Sequence, residues 1–418
     1  MSVMSPRTTS RPASRPSSRP SSRPASRPGQ ASGTLRVPGL DWVLLLATLA
    51  LVVMGTLLIW SATATRAELT GGDPDAYLRK QLVNVAIGLV LMVAVVATDH
   101  RWVRILAPLA YLASVGGLVM VLVAGSTVNG SRSWIQLGSM SIQPSELAKL
   151  AVVIGMALVV AERTERRWGR GVGSLEVVAM LAIAGVPAVL ILLQPDLGTM
   201  LVLSATVFGV LAIAGAGRRW LVGLTLGAVV GAVGAVSAGV LKPYQVDRFL
   251  AFTNPGLDPR GAGYNVEQAR IAVGNGGLFG QGLFDGSQTR SGFVPEQHTD
   301  FIFTVAGEEL GLLGSGLMIL LLAVVIWRAL TISARAGDLF GRVAAAGIAC
   351  WWGFQAFQNI GMCLGIMPVT GVPLPFVSYG GSSLFAGMLA LGLLQNIHLR
   401  SAGAVPSRLL ATARPAAR

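Results

Sequence analysis

The chain has 418 residues, of which 12% are charged and 53% hydrophobic, and its mean hydropathy is +0.65. An ordinary soluble domain carries about 25% charged residues, so this composition excludes a soluble globule and reads as an integral membrane protein. The formal net charge of +13 is uneven, because residues 1–40 hold seven arginines and no acid. No folded basic face or nucleic-acid motif goes with them, which argues against a nucleic-acid partner.

Residues 1–38 repeat Ser-Arg-Pro units (Ser14-Arg15-Pro16, Ser18-Arg19-Pro20, Ser22-Arg23-Pro24). Proline fixes φ and removes donors, and Ser and Arg bury nothing, so a disordered basic tail is expected. The apolar run from Val43 to Trp60 that follows is too long for a secretory signal core and reads as the first membrane helix.

Runs of about 20 apolar residues match a hydrocarbon core of about 30 Å. Ten are expected, at 41–61, 82–98, 104–124, 144–162, 174–194, 197–216, 220–241, 301–328, 341–366 and 381–398. With the N-terminus inside, Lys and Arg concentrate in the cytoplasmic segments even when the tail is left out, which places both termini in the cytoplasm. The expected architecture is all-α: a basic tail (1–38), a polytopic membrane domain (39–400) and a C-terminal cytoplasmic tail (401–418). A large extracytoplasmic loop, 242–300, separates the seventh and eighth helices. Cys350 and Cys363 lie 13 residues apart in one apolar run, roughly 20 Å along a helix and beyond disulfide reach. The topology also separates His298 from His100 and His398, so the three histidines form no common metal site.

Two outside segments are too polar to be simple connectors. In Gln143-Pro-Ser-Glu-Leu-Ala-Lys149 the proline suits a first helical turn, and Glu146 and Lys149 share one face at i, i+3. The pair either lets two charges enter a low dielectric together, or holds a polar cavity open, or binds phosphate through Lys149. The 59-residue loop 242–300 is too apolar for disorder. Within it, Val266-Glu-Gln-Ala-Arg-Ile-Ala-Val273 suggests a short helix at the interface. It ends in Val294-Pro-Glu-Gln-His-Thr-Asp300, which places Asp300 at the mouth of a helix, either as a cap or as a functional carboxylate. Glu308 and Glu309 follow two or more turns deeper. A last segment, Met367-Pro-Val-Thr-Gly-Val-Pro-Leu-Pro375 through Ser383, implies irregular backbone at membrane depth, tolerated only when packed or lining a wet cavity.

Three motifs resemble the SEDS family (shape, elongation, division and sporulation). They are Gln143-Pro-Ser-Glu-Leu-Ala-Lys149; Pro295-Glu-Gln-His-Thr-Asp-Phe-Ile-Phe303 with Glu308-Glu309; and Leu374-Pro-Phe-Val-Ser-Tyr-Gly-Gly381. The resemblance spans nearly all of 40–400. Gly286-Ser-Gln-Thr289 and Pro368-Val-Thr-Gly-Val-Pro-Leu-Pro375 are closer to the RodA branch than to FtsW, which commonly has lysine where Thr370 stands. One departure is Gly292, where many members carry an acid. The resemblance implies a peptidoglycan glycosyltransferase of the bacterial plasma membrane that polymerises lipid II into a lipid-linked glycan on the outer face. It further implies a class B penicillin-binding protein as transpeptidase partner, Asp300 as the essential aspartate, and Glu146 with Lys149 as the family's ion pair.

The chemistry agrees with a single carboxylate. Attack of a sugar 4-hydroxyl on an anomeric carbon needs a base, whereas pyrophosphate leaves without the acid that glycoside hydrolases require. One displacement inverts the anomeric centre. Charge on the leaving pyrophosphate calls for cations or a divalent metal such as Mg or Mn. The outside-facing candidates are Lys149, Arg132, Arg248, Arg260 and Arg270, with Glu146 beside Lys149 at the same substrate site, and grooves between spans would hold polyprenyl tails among the membrane lipids. A lipid II transporter using the buried Glu308/Glu309 and Glu146/Lys149 groups, and an FtsW-type division polymerase, both stand as alternatives at this level.

Overall fold

The computed structural model describes residues 39–128, 131–137, 140–164, 172–239, 248, 256 and 261–401. The expected N-terminal tail (1–38), the expected C-terminal tail (401–418) beyond Ser401, Arg260 and most of 240–260 lie outside them. The chain is an all-α multi-pass membrane protein apart from one small sheet. Its helices are α1 (Trp42–Ala64), α2 (Ala67–Thr70), α3 (Ala76–Ala97), α4 (His100–Ala124), α5 (Pro144–Thr164), α6 (Ser174–Leu193), α7 (Leu197–Ala214) and α8 (Arg218–Ser237). These are followed by α9 (Ala262–Asn275), α10 (Ser287–Ser291), α11 (Ile302–Glu309), α12 (Gly311–Arg335), α13 (Leu339–Cys363) and α14 (Gly381–Ser401). Among the described residues, nine helices are long and apolar enough to cross a membrane: α1, α3 to α8, α12 and α14. The 25-residue α13 is comparably long, but Gln355, Gln358 and Asn359 make it more polar.

These helices are apolar nearly all round, as lipid requires. α3, α4, α6, α8 and α12 turn large apolar side chains outward, while α5, α13 and α14 carry the deepest core. Asp41 caps α1 by accepting from Leu44 N at 3.1 Å. It also takes a bidentate pair from Arg328 of α12, with Nη2 at 2.5 Å and Nε at 3.0 Å to Oδ2. Gln395 of α14 exchanges hydrogen bonds with the Asp41 main chain (2.9 and 3.1 Å). One residue, through its carboxylate and its main chain, thus joins three helices at one end of the bundle.

Two features depart from the expected pattern. The polar segment after α4 is a three-stranded antiparallel sheet of β1 (Ser126–Val128), β2 (Ser131–Leu137) and β3 (Met140–Ile142), with Trp134 opposite Ser126 and Ile135 opposite Ile142. The expected eighth span, 301–328, is instead two helices, α11 and α12, broken at Leu310. The segment after α9 docks into the break: Gln281 and Gly282 donate to the carbonyls of Glu308 and Glu309 (3.0 Å each), and Leu312 and Leu313 donate to those of Gly277 and Leu278 (2.9 and 3.1 Å). Gly311 takes φ +65, and a Cβ there would collide with the Gly280 nitrogen. The backbone groups that a helix break orphans are met by the loop, a partnership that hydropathy does not register.

Candidate active site

A cavity of about 180 Å³ opens among the β2 strand, the turn between α6 and α7, the segment before α11 and the segment joining α13 to α14. Its walls include Ser133, Trp134, Gln143, Asp196, Arg248, Glu296, Thr299, Asp300, Thr370, Gly371, Pro373, Tyr379, Ser382 and Ser383. Asp300 and Arg248, two of the residues singled out in the sequence, therefore meet in one wall.

Asp300 ends a tight turn. The carbonyl of Glu296, a residue at φ +50, accepts from the N–H groups of Thr299, Asp300 and Phe301 at 3.2, 3.1 and 3.2 Å. Such a left-handed non-glycine conformation is strained and has to be held by its surroundings. Here Arg66 supplies part of the hold, donating to Gln297 Oε1 at 2.7 Å and packing against Gly292, whose φ is +70. α11 begins at Ile302 with Phe301 as its N-cap and no side-chain cap hydrogen bond. The reading of Asp300 as a helix cap therefore fails, and its carboxylate is left to the cavity.

Burial pushes the Asp300 carboxyl up to about 7, and the charge of Glu296 adds to that rise; Arg248 opposes it, and Asp196 and Glu146 contribute smaller upward effects. Asp196, in the turn before α7, is raised as well by burial, against the hydrogen bonds it accepts from Thr199 N (3.0 Å) and Thr199 Oγ1 (2.8 Å). A carboxyl held near neutrality is ionised often enough to accept a proton and basic enough to keep it.

The remaining expected residues fall elsewhere. Glu146 and Lys149 share one face of α5, as their spacing predicts, but that face points into the bundle. Lys149 Nζ lies 2.7 Å from Glu146 Oε1 and 2.7 Å from Gln355 Oε1, over the Trp351 ring, and neither residue lines the cavity. Arg132 is exposed on β2 and donates to the carbonyls of Gly125 (2.9 Å) and Leu122 (3.1 Å), where its charge complements the C-terminus of α4. Arg270 is exposed on α9, away from the cavity wall. Glu308 and Glu309 end the short α11 and lie before the following span. Glu308 accepts from Gln288 N (2.7 Å), Thr289 N (2.9 Å), Thr289 Oγ1 (2.7 Å) and Ser287 Oγ (3.2 Å), clamping α10. Glu309 accepts from Ser61 Oγ of α1 at 2.5 Å. Among the described residues, no three His, Cys, Asp or Glu side chains are grouped to hold a metal ion.

Further residues shape the site. Tyr379 lines the cavity, backed by Tyr77 and His298 with ring centroids 5.0 and 5.7 Å away, and its N–H donates to the His298 carbonyl at 2.9 Å. Gln355, Gln358 and Asn359 hold the proline-rich segment in place through Pro373 O, Thr370 Oγ1 and Val372 O respectively. Three amides at i, i+3 and i+4 inside an apolar run are the signal that points to them, since polar side chains at membrane depth are functional candidates.

A family model described as "Cell cycle protein", covering FtsW, RodA and SpoVE, matches residues 41–402. The chain belongs to this family. It is 38% identical to the peptidoglycan glycosyltransferase MrdB of Escherichia coli over 359 residues, covering 86% of this chain and 93% of that one. Among solved structures, it resembles a chain from a study of a peptidoglycan synthase complex that coordinates polymerization and crosslinking (TM-score 0.72, 33% identity, 87% of this chain and 98% of that one). It also resembles the rod shape determining protein RodA of Thermus thermophilus (TM-score 0.63, 31% identity, 86% and 97%). In this SEDS chain, the three motifs converge on the region around the Asp300 cavity: Gln143 opens α5 at its wall, Glu296 to Asp300 form its side, and Tyr379 to Ser383 lead into α14.

Proposed function

We propose that the chain is a peptidoglycan glycosyltransferase that polymerises lipid II on the extracytoplasmic face of the bacterial plasma membrane, with Asp300 as general base. The observation that carries this reading is a carboxylate freed from capping, lining a cavity beside Arg248 and held near neutrality. Asp300 takes the proton of a sugar 4-hydroxyl as its oxygen attacks the anomeric carbon. The bond from that carbon to the pyrophosphate oxygen breaks, the lipid pyrophosphate departs with the electron pair, and the configuration inverts from α to β. Arg248 in the same wall meets the developing negative charge.

Both termini are cytoplasmic in this reading, and the partner is a class B penicillin-binding protein that crosslinks the strands. The likeness to a synthase complex supports that partnership. The RodA-like segments Gly286-Ser-Gln-Thr289 and Pro368-Val-Thr-Gly-Val-Pro-Leu-Pro375 support a role in elongation. The transporter reading needs a polar passage, and the burial of the Glu146–Lys149 pair beneath Gln355 and Trp351 weighs against one. The test is the purified full chain in vesicles with labelled lipid II, alone and with the transpeptidase. Glycan strands with newly formed β linkages support the enzyme; movement of label across the bilayer with no polymer overturns it.

A further inference from the structure

Asn359 of α13 is fully buried, and its side-chain Nδ2 lies 2.7 Å from the main-chain carbonyl of Asp300 and 2.7 Å from that of Val372. A primary amide has two N–H bonds, and here each goes to a different segment of the cavity wall. Next to Val372, Gly371 takes φ +69, and Asp300 Oδ2 lies 3.1 Å from where a Cβ on Gly371 would stand. The amide thus ties together the residue bearing the carboxylate and the backbone that the carboxylate packs against. On the same helix, the preceding residue Gln358 holds Thr370 Oγ1 through Nε2 at 3.1 Å, and Gln355, one turn earlier, holds Pro373 O through Nε2 at 2.8 Å. The floor beneath Asp300 is therefore fixed on both sides of Gly371 by the same helix, and Asn359 alone of the three reaches the Asp300 segment.

We propose that Asn359 is a positioning residue for Asp300: its two donated hydrogen bonds set the distance of the carboxylate from the cavity floor, and through it from the attacking sugar hydroxyl. This rests on the reading of Asp300 as the base. A base must lie within hydrogen-bond reach of the proton it removes, and a displacement near 1 Å lowers a rate by about a hundredfold. Nothing in Asn359 touches substrate, because Asn359 does not line the cavity.

The test compares the full chain, reconstituted with lipid II and a class B penicillin-binding protein, with Asn359→Asp and Asn359→Ala. Asn359→Asp is isosteric and cannot donate when ionised. Gly371→Ala displaces the carboxylate by another route, leaving the amide in place. The expected result is a fall in kcat of about a hundredfold with little change in KM. For Asn359→Ala the acid limb of the rate profile should also shift to lower pH as the carboxyl gains solvent, with Asp196, Glu296, Glu146 and Arg248 unaltered, whereas the carboxylate added by Asn359→Asp opposes that shift. A purely structural role would instead lower the amount of folded protein and leave kcat per folded molecule and the acid limb where they were, and that outcome overturns the proposal. Where the Asn359 variants do not fold, Gly371→Ala decides: unchanged kcat and pH limb overturn the proposal. Asp300→Ala is run beside them. If it is inactive while the Asn359 variants behave as wild type, the tether alone fails; if it is active, the base reading and the tether fail together.

Discussion

Lys149 Nζ lies 2.7 Å from Glu146 Oε1, with both side chains sealed inside the helix bundle and away from the cavity wall. The same ammonium donates to Gln355, whose amide grips Pro373 in the cavity floor. The pair therefore connects to the site through the scaffold.

A buried pair is destabilised far more by losing one partner than by losing both. Glu146→Ala or Lys149→Met alone leaves an uncompensated charge and should lower stability by about 3–5 kcal/mol. The double variant Glu146→Leu with Lys149→Met should recover most of that loss. Thermal or denaturant unfolding in detergent checks it, and additive losses in the double variant would contradict the coupling.

The pH dependence follows from the sign of the Asp300 shift. Burial favours the neutral acid and moves its titration to about 7, while the base must be ionised. Polymerisation should fall about tenfold per unit as pH drops below that value and level off above it. Stability runs the other way: the folded state favours the protonated form, so this group's contribution declines as pH rises from the unfolded carboxylate range to about 7. Asp300→Asn, permanently neutral, should melt no lower than wild type at pH 8. Initial rates and melting curves across this range test both signs, and an acid limb near pH 4 would refute the buried-base assignment.

Glu308 gives a separate structural prediction. Its carboxylate accepts the N–H groups that open α10, so Glu308→Ala leaves those donors without their charged partner. A charge-assisted bond is worth about 1.5–3 kcal/mol. Losing about 2 kcal/mol corresponds to amide exchange roughly thirtyfold faster across 287–291. Unchanged exchange there would show that other contacts hold the loop.

Much of this was legible in the sequence because hydropathy and charge placement are strong signals in a membrane chain. The spans around α1, α5 and α7 came from the length of their apolar runs, and the shared face of Glu146 and Lys149 from their i, i+3 spacing. Asp300 and Arg248 were visible as outside-facing charges, and Asp300 was set apart by its motif. The break at Leu310 was not legible, because it depends on loop residues 276–282 docking from a distance. The small sheet was hidden by strands of three residues at each edge, too short to give an alternating pattern. Arg132 and Arg270 looked equivalent to Arg248 on charge; only the fold separates a cation at a helix C-terminus from one in the cavity wall. Asn359 stands out in the sequence only as one of three amides in an apolar run; its partners are main-chain carbonyls, which carry no sequence signature.

The central claim is that Asp300 performs the chemistry. The direct measurement is glycan synthesis from labelled lipid II by purified Asp300→Asn with its transpeptidase partner, next to wild type and with melting curves on the same samples. The account predicts long glycan from wild type, none from the folded variant, and a melting temperature for the variant at least equal to wild type at pH 8. Polymer from Asp300→Asn at the wild-type rate would contradict it.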